Sequence, residues 1–213
     1  MRKLLLLAML IAASASMAFA QSADRAKPEF FAGFSVNSID TGINDTDVVV
    51  HSGDNRQTGF GFETSVTGYF NNRVGIEGNV DGHYKTKTFD VSDTATSPIV
   101  PVRVKIAEYN FMAGPHVRFP SSDSKVVPFL HALFGGNHSR LSGTATGITV
   151  RDDATDFALK LGGGIDFGVS DHAAVRLSAD YNPVFERNND SSSLTNDNRT
   201  RHDAVFSVGL VFK

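Results

Sequence analysis

Apolar and polar residues alternate with a period of two along most of the chain. From Val74 to Lys85 one face reads Val74, Ile76, Gly78, Val80, Gly82 and Tyr84; the other reads Gly75, Glu77, Asn79, Asp81, His83 and Lys85. Successive side chains of a strand point to opposite faces, so this stretch predicts one β-strand with an apolar and a polar side. Similar alternation over residues 30–37, 59–68, 109–118, 130–137, 157–168, 175–183 and 204–212 predicts eight strands in all.

The connections alternate as well. Residues 71–73, 120–125 and 170–172 are short turns, whereas 38–56, 88–102, 139–156 and 186–201 read as long polar loops. Long structureless loops are uncommon in compact soluble domains. Short turns at one end and long loops at the other are the rule for outer-membrane barrels. Alternation by itself also fits a soluble lipocalin-like barrel with the apolar face inside. Three features favour the membrane. The apolar face mixes large residues with small ones, the short–long rhythm repeats, and the last strand ends on an apolar-face Phe212. The expected fold is all-β, an eight-stranded antiparallel up-and-down transmembrane β-barrel, closed because lipid tolerates no unpaired sheet edge.

Composition narrows the class further. The 213 residues include 19 Gly and 17 Phe but no Cys, and the net charge is −3. A weakly acidic chain offers no field for nucleic acid. No Walker motif, zinc spacing or nucleophile elbow occurs. After Ala20 no apolar run is long enough for a transmembrane helix. At the N-terminus Arg2 and Lys3 precede the apolar stretch Leu4 to Ala13, and Ala18-Phe19-Ala20 supplies small residues for cleavage. Residues 1–20 therefore read as a signal peptide cut after Ala20, 21–28 as a periplasmic N-terminal segment and 29–213 as the barrel. An exported chain without a thiol forms no disulfide.

The polar face carries the candidate site. Glu63, Glu77, Asp81, Glu108, Asp166 and Asp180 share it with Lys85, Arg118, Lys160 and Arg176. An eight-stranded barrel is only wide enough for its own side chains to fill. Unpaired buried charge costs several kcal/mol, so these residues are expected to pair into a lumen charge network that plugs the barrel. A hairpin symmetric about Asp171 sets Asp166 opposite Arg176, with Lys160 and Asp180 as diagonal neighbours. Arg176 is then expected to reach a second carboxylate from Glu63, Glu77 or Asp81. The histidines show no tight spacing, so no metal site and no cofactor are expected. Tyr84, Tyr109, Tyr181, Phe70, Phe119, Phe167 and Phe212 are candidates for interfacial aromatic girdles.

Two features break the pattern. Val102, Val104 and Ile106 share the parity of Arg118, while Arg103 and Lys105 fall on the lipid side. Either a bulge re-phases the strand near Ala107 or this portion projects beyond the bilayer. Pro115, Pro128 and Pro183 lie within strands and each removes a ladder donor, so they are expected near strand ends or bulges.

Gly59-Phe60-Gly61-Phe62-Glu63, Val74-Gly75-Ile76-Glu77-Gly78, Tyr109 to Pro115, Pro128-Phe129 and the closing Gly209-Leu210-Val211-Phe212-Lys213 resemble the small outer-membrane β-barrel family. That family includes the barrel of outer-membrane protein A and the porin-family barrels. The resemblance covers roughly residues 29–213 and specifies fold far better than function. It implies a bacterial outer-membrane protein with a structural or surface-interaction role. Outer-membrane lipid, lipopolysaccharide, the barrel-assembly machinery and an unnamed surface ligand are its expected partners. The alternatives are a narrow small-solute channel and a lipid-modifying enzyme. Lipid A deacylase barrels place a Ser two residues after a His; no His here has one, so a non-enzyme is expected.

Overall fold

The computed structural model describes residues 27–40, 56–91, 100–120, 125–145, 148–186 and 199–213. The signal peptide and its cleavage point lie outside the described residues. Eight strands run in chain order: β1 Glu29–Asp40, β2 Arg56–Tyr69, β3 Val74–Val91, β4 Val100–Arg118, β5 Val126–Ala145, β6 Ile148–Ser170, β7 Ala173–Glu186 and β8 Arg199–Phe212. Each pairs antiparallel with the next, and β1 closes on β8 with Phe30 opposite Phe212. Closure leaves no strand edge, and an unpaired backbone group in hydrocarbon would cost several kcal/mol. No helix among the described residues is long and apolar enough to cross a membrane.

The two faces follow the alternation. On β2 and β3 the buried residues include Glu63, Ser65, Glu77, Asn79 and Asp81, while Phe62, Val66, Val74 and Ile76 between them are exposed. Phe70, Phe119, Phe167 and Phe212 are exposed near the short-turn end. Tyr84 and Tyr109 meet through their hydroxyls at 3.0 Å at the other end of the apolar face. Val74 and Tyr84 are ten residues apart on β3. At about 3.3 Å per residue and a tilt of about 40°, that is roughly 25 Å, the height of an outer-membrane apolar band.

Short turns set the hairpins. Asn71 Oδ1 accepts from the backbone N–H of Arg73 and of Val74, both at 2.8 Å, which pins the β2–β3 turn. The β6–β7 hairpin shifts register only between Gly168 and Ser170, so Asp166 does lie opposite Arg176. Each proline sits within four residues of a strand end. The β4–β5 ladder skips Gly114 and Pro115, and the β6–β7 ladder skips Asn182 and Pro183, where a donor is missing.

One expectation is corrected. Segment 139–156, read as a loop from sequence, is strand at 139–145 and 148–156, and in segment 88–102 residues 88–91 and 100–102 are strand. β3 to β6 have 18, 19, 20 and 23 residues, against 12 to 14 in β1, β2, β7 and β8. The excess lies at the long-loop end. Val91 still pairs with Val100, and Ala145 with Ile148. No bulge occurs near Ala107: β4 keeps one register with β3 from Val100 to Val117. The unbroken register removes the bulge and leaves projection as the remaining alternative. Beyond the row Tyr109, His138, Thr155, β5 continues from Ser139 to Ala145, about 23 Å along the strand.

Candidate functional site

The barrel interior is polar and packed with ionisable side chains from all eight strands. Ordered from the short-turn end, they form four groups.

The first group surrounds Arg176. Its Nε and Nη2 donate to the two oxygens of Asp166 at 2.7 and 2.9 Å, a bidentate cross-strand pair. Its guanidinium lies 4.3 Å over the Phe129 ring. Glycine at position 164 leaves room for that ring, which a side chain there would meet. The second carboxylate that Arg176 reaches, at 3.5 Å, is Glu29 rather than Glu63, Glu77 or Asp81. Glu29 also accepts from Tyr69 Oη and Arg118 Nη1, each at 2.8 Å.

The second group joins β3, β4, β5 and β7. Glu77 Oε2 accepts from Nδ1 of His116 at 2.7 Å and from Nδ1 of His131 at 3.0 Å. His131 Nε2 lies 2.9 Å from Asp180 Oδ1. Glycine at 162, opposite Asp180, leaves space that the Asp180 carboxylate occupies. Asp180 lies diagonal to Lys160 on the ladder, as expected, and its direct ion-pair partner is His131. The donor atoms of Glu77, His116 and His131 lie within 4.8 Å of one another, a set able to hold a metal ion.

The third group is centred on Lys160, which is fully buried. Its Nζ donates to Asp81 at 2.5 Å, Asn79 at 3.0 Å and Glu63 at 3.1 Å. Glu63 also accepts from Asn79 and Ser207, and Asp81 from Asn110. His83 lies beside Asp81 at 3.3 Å and shares a hydrogen bond with Ser35.

The fourth group lies nearest the long-loop end. Arg201 pairs with Glu108 at 2.8 Å, Asp203 at 3.0 Å and Glu186 at 3.3 Å. Asn37 Nδ2 donates to Glu108 at 3.4 Å. Lys85 lies on the same face, one inward position beyond His83, and is half-buried.

All ten residues expected in the lumen thus point inward, distributed among separate groups. Glu29, Arg201, Asp203 and the inward histidines were not among them. Glu29 precedes the first apolar alternation, and Arg201 falls in a segment that read as loop. Of the inward histidines His83, His116 and His131, His116 lies directly opposite His131 on the ladder.

On β4 and β5 the extension beyond the barrel has the reverse polarity. Arg103, Lys105, Arg140 and Arg151 are exposed on the outward face, with Arg140 donating to Asp153 at 2.8 Å. Val104, Ile106 and Leu141 take the inward positions.

A closed eight-stranded sheet, apolar outside over a membrane-high band and ionic inside, defines an outer-membrane β-barrel. The chain belongs to the outer membrane protein beta-barrel domain family, whose model matches residues 5–212. This membership implies the bacterial outer membrane as its location. The fold is similar to Ail, the attachment invasion locus protein of Yersinia pestis: TM-score 0.55, 15% identity, 88% of this chain and 98% of that one. It is also similar to Neisserial surface protein A: TM-score 0.53, 14% identity, 87% of this chain and 96% of that one. A structure of Ail with the heparin analogue sucrose octasulfate aligns at TM-score 0.53 and 16% identity, over 87% of this chain and 96% of that one. No curated protein sequence matches the chain.

Proposed function

We propose that the protein is a closed surface-interaction barrel: a lumen plugged by paired charges, carrying a four-strand extension into the external medium. The observation that carries the reading is Lys160, fully buried between Glu63 and Asp81. A cation so placed fills the section that a solute would have to pass. Water-filled barrels have many more strands than eight. On this reading the protein is neither a small-solute channel nor a lipid-modifying enzyme.

The short turns face the periplasm and the long-loop end faces outward, following the rule for such barrels. Arg103, Lys105, Arg140 and Arg151 then stand just outside the apolar band, at the level of lipopolysaccharide phosphates. Ail, of similar fold, is named for attachment; the corresponding role here rests on the extension. A signal peptide cut after Ala20 and insertion by the barrel-assembly machinery complete the reading.

The test is conductance of the refolded full chain in planar bilayers, run beside lipid analysis of a strain lacking the protein. The expected result is no steady conductance and an unchanged lipid profile. Regular single-channel steps would establish the channel instead, and a missing lipid modification would establish the enzyme.

A further inference from the structure

We propose that Glu77, His116 and His131 bind a borderline divalent transition cation, Zn2+ being the type, inside the barrel. The proposal is independent of whether the lumen conducts.

The three residues come from three consecutive strands. His116 on β4 pairs directly with His131 on β5, and Gly75 opposite His116 makes Glu77 its diagonal neighbour on β3. Neighbouring residues on one face of a sheet are held by the ladder itself, so the donors are positioned by backbone rather than by a loop. Both imidazoles turn the same nitrogen, Nδ1, towards Glu77 Oε2, at 2.7 and 3.0 Å. An ion about 2.0–2.2 Å from each donor needs them roughly 3.0–3.5 Å apart. The two imidazole–carboxylate distances therefore need open by only a few tenths of an ångström, and the two imidazole donor atoms already lie within 4.8 Å of each other.

Two surrounding contacts favour a metal ligand. The far nitrogen of His131 lies 2.9 Å from Asp180 Oδ1. A carboxylate on the second ring nitrogen is the usual support of a metal-bound histidine, since it fixes the proton there and leaves the other nitrogen to ligate. The His116 ring is stacked on Phe129 at 5.0 Å and meets the edge of Tyr69 at 5.8 Å, so it is held in place before an ion arrives.

Charge supplies an independent argument. Among the described residues eight carboxylates are buried, against three buried permanent cations, Lys160, Arg176 and Arg201. Glu77 and Asp180 form ion pairs with histidine alone, while Glu63, Asp81, Glu108 and Asp166 each have a lysine or arginine. Buried anions without a close cation are costly, and a divalent ion lowers that cost where, among the described residues, no lysine or arginine lies within ion-pair distance. Two imidazoles and one carboxylate suit Zn2+ and its neighbours rather than Mg2+ or Ca2+, which take oxygen. Such an ion would tie β3, β4 and β5 together.

The experiment refolds the chelator-treated full chain in detergent micelles and titrates it with ZnCl2 by calorimetry, checking the fold by heat-modifiable gel migration. The expected result is one Zn2+ per chain with micromolar or tighter affinity. Glu77→Gln and His116→Gln should weaken it at least tenfold, and the outward-side His138→Gln and His202→Gln should leave it unchanged. X-ray absorption of the Zn-loaded wild type needs no variant and should read two imidazole ligands. Absence of stoichiometric binding would overturn the proposal, leaving a metal-free carboxylate–imidazolium cluster. So would binding lost with His138 or His202 but kept with His116→Gln, or a spectrum without two imidazoles.

Discussion

The extension above the barrel wall is built from four of the wall's own eight strands, yet on β4 the faces of the two regions have opposite polarity. On β4, Phe111 is exposed to the outside and Asn110 and Met112 are buried. A few residues further along, Lys105 and Arg103 face out, and Ile106 and Val104 take the inward side. The ladder keeps its register throughout. The backbone therefore sets only which residues share a face. The medium on that face, lipid below and water above, sets what those residues are.

The largest effects belong below the waterline. Lys160→Ala leaves Glu63 and Asp81 without a cation and should destabilise by about 3–5 kcal/mol, read by urea unfolding in micelles. Arg176→Ala should fall in the same range of about 3–5 kcal/mol, because Asp166 loses both of its hydrogen bonds to the guanidinium. A result under about 1 kcal/mol for either would mean that water already solvates the lumen.

Leu161→Arg comes next. Leu161 is 45% exposed on the outward face of β6, between Lys160 and Gly162. An arginine there meets hydrocarbon, and a loss of about 2–4 kcal/mol is expected from urea unfolding in lipid vesicles. Equal stability of variant and wild type in lipid vesicles would place that face in water.

The smallest effect belongs to the extension. Lys105→Ser, on an outward face beyond Tyr109, should change stability by less than about 0.5 kcal/mol. A loss comparable to that of Leu161→Arg would erase the distinction between the two regions.

Much of the wall was legible because alternation with a period of two is the direct signature of a sheet with unlike faces. The Asp166–Arg176 pair was legible for a similar reason: a tight hairpin makes opposite residues computable from the turn. Contacts across the lumen were not. His131 and Asp180 come from β5 and β7, and Lys160 on β6 reaches Asp81 on β3. Such contacts depend on the curvature of the closed sheet, which no local spacing encodes. The extension was misread as loop because its polar residues face outward, where lipid-facing strands carry apolar ones. Arg103 and Lys105 were the signal, present as a parity conflict with Val104 and Ile106.

Single-cysteine scanning of β4 tests this account most directly, since the chain has no cysteine of its own. Variants Arg103→Cys, Lys105→Cys, Phe111→Cys and Ala113→Cys would be inserted into vesicles and treated with a membrane-impermeant thiol reagent. Fluorophore attached before insertion would report quenching by a lipid-phase nitroxide. Rapid aqueous labelling is expected at 103 and 105, with lipid quenching at 111 and 113. Lipid quenching at 103 and 105 would contradict it, because the four long strands would then continue inside the bilayer rather than project from it.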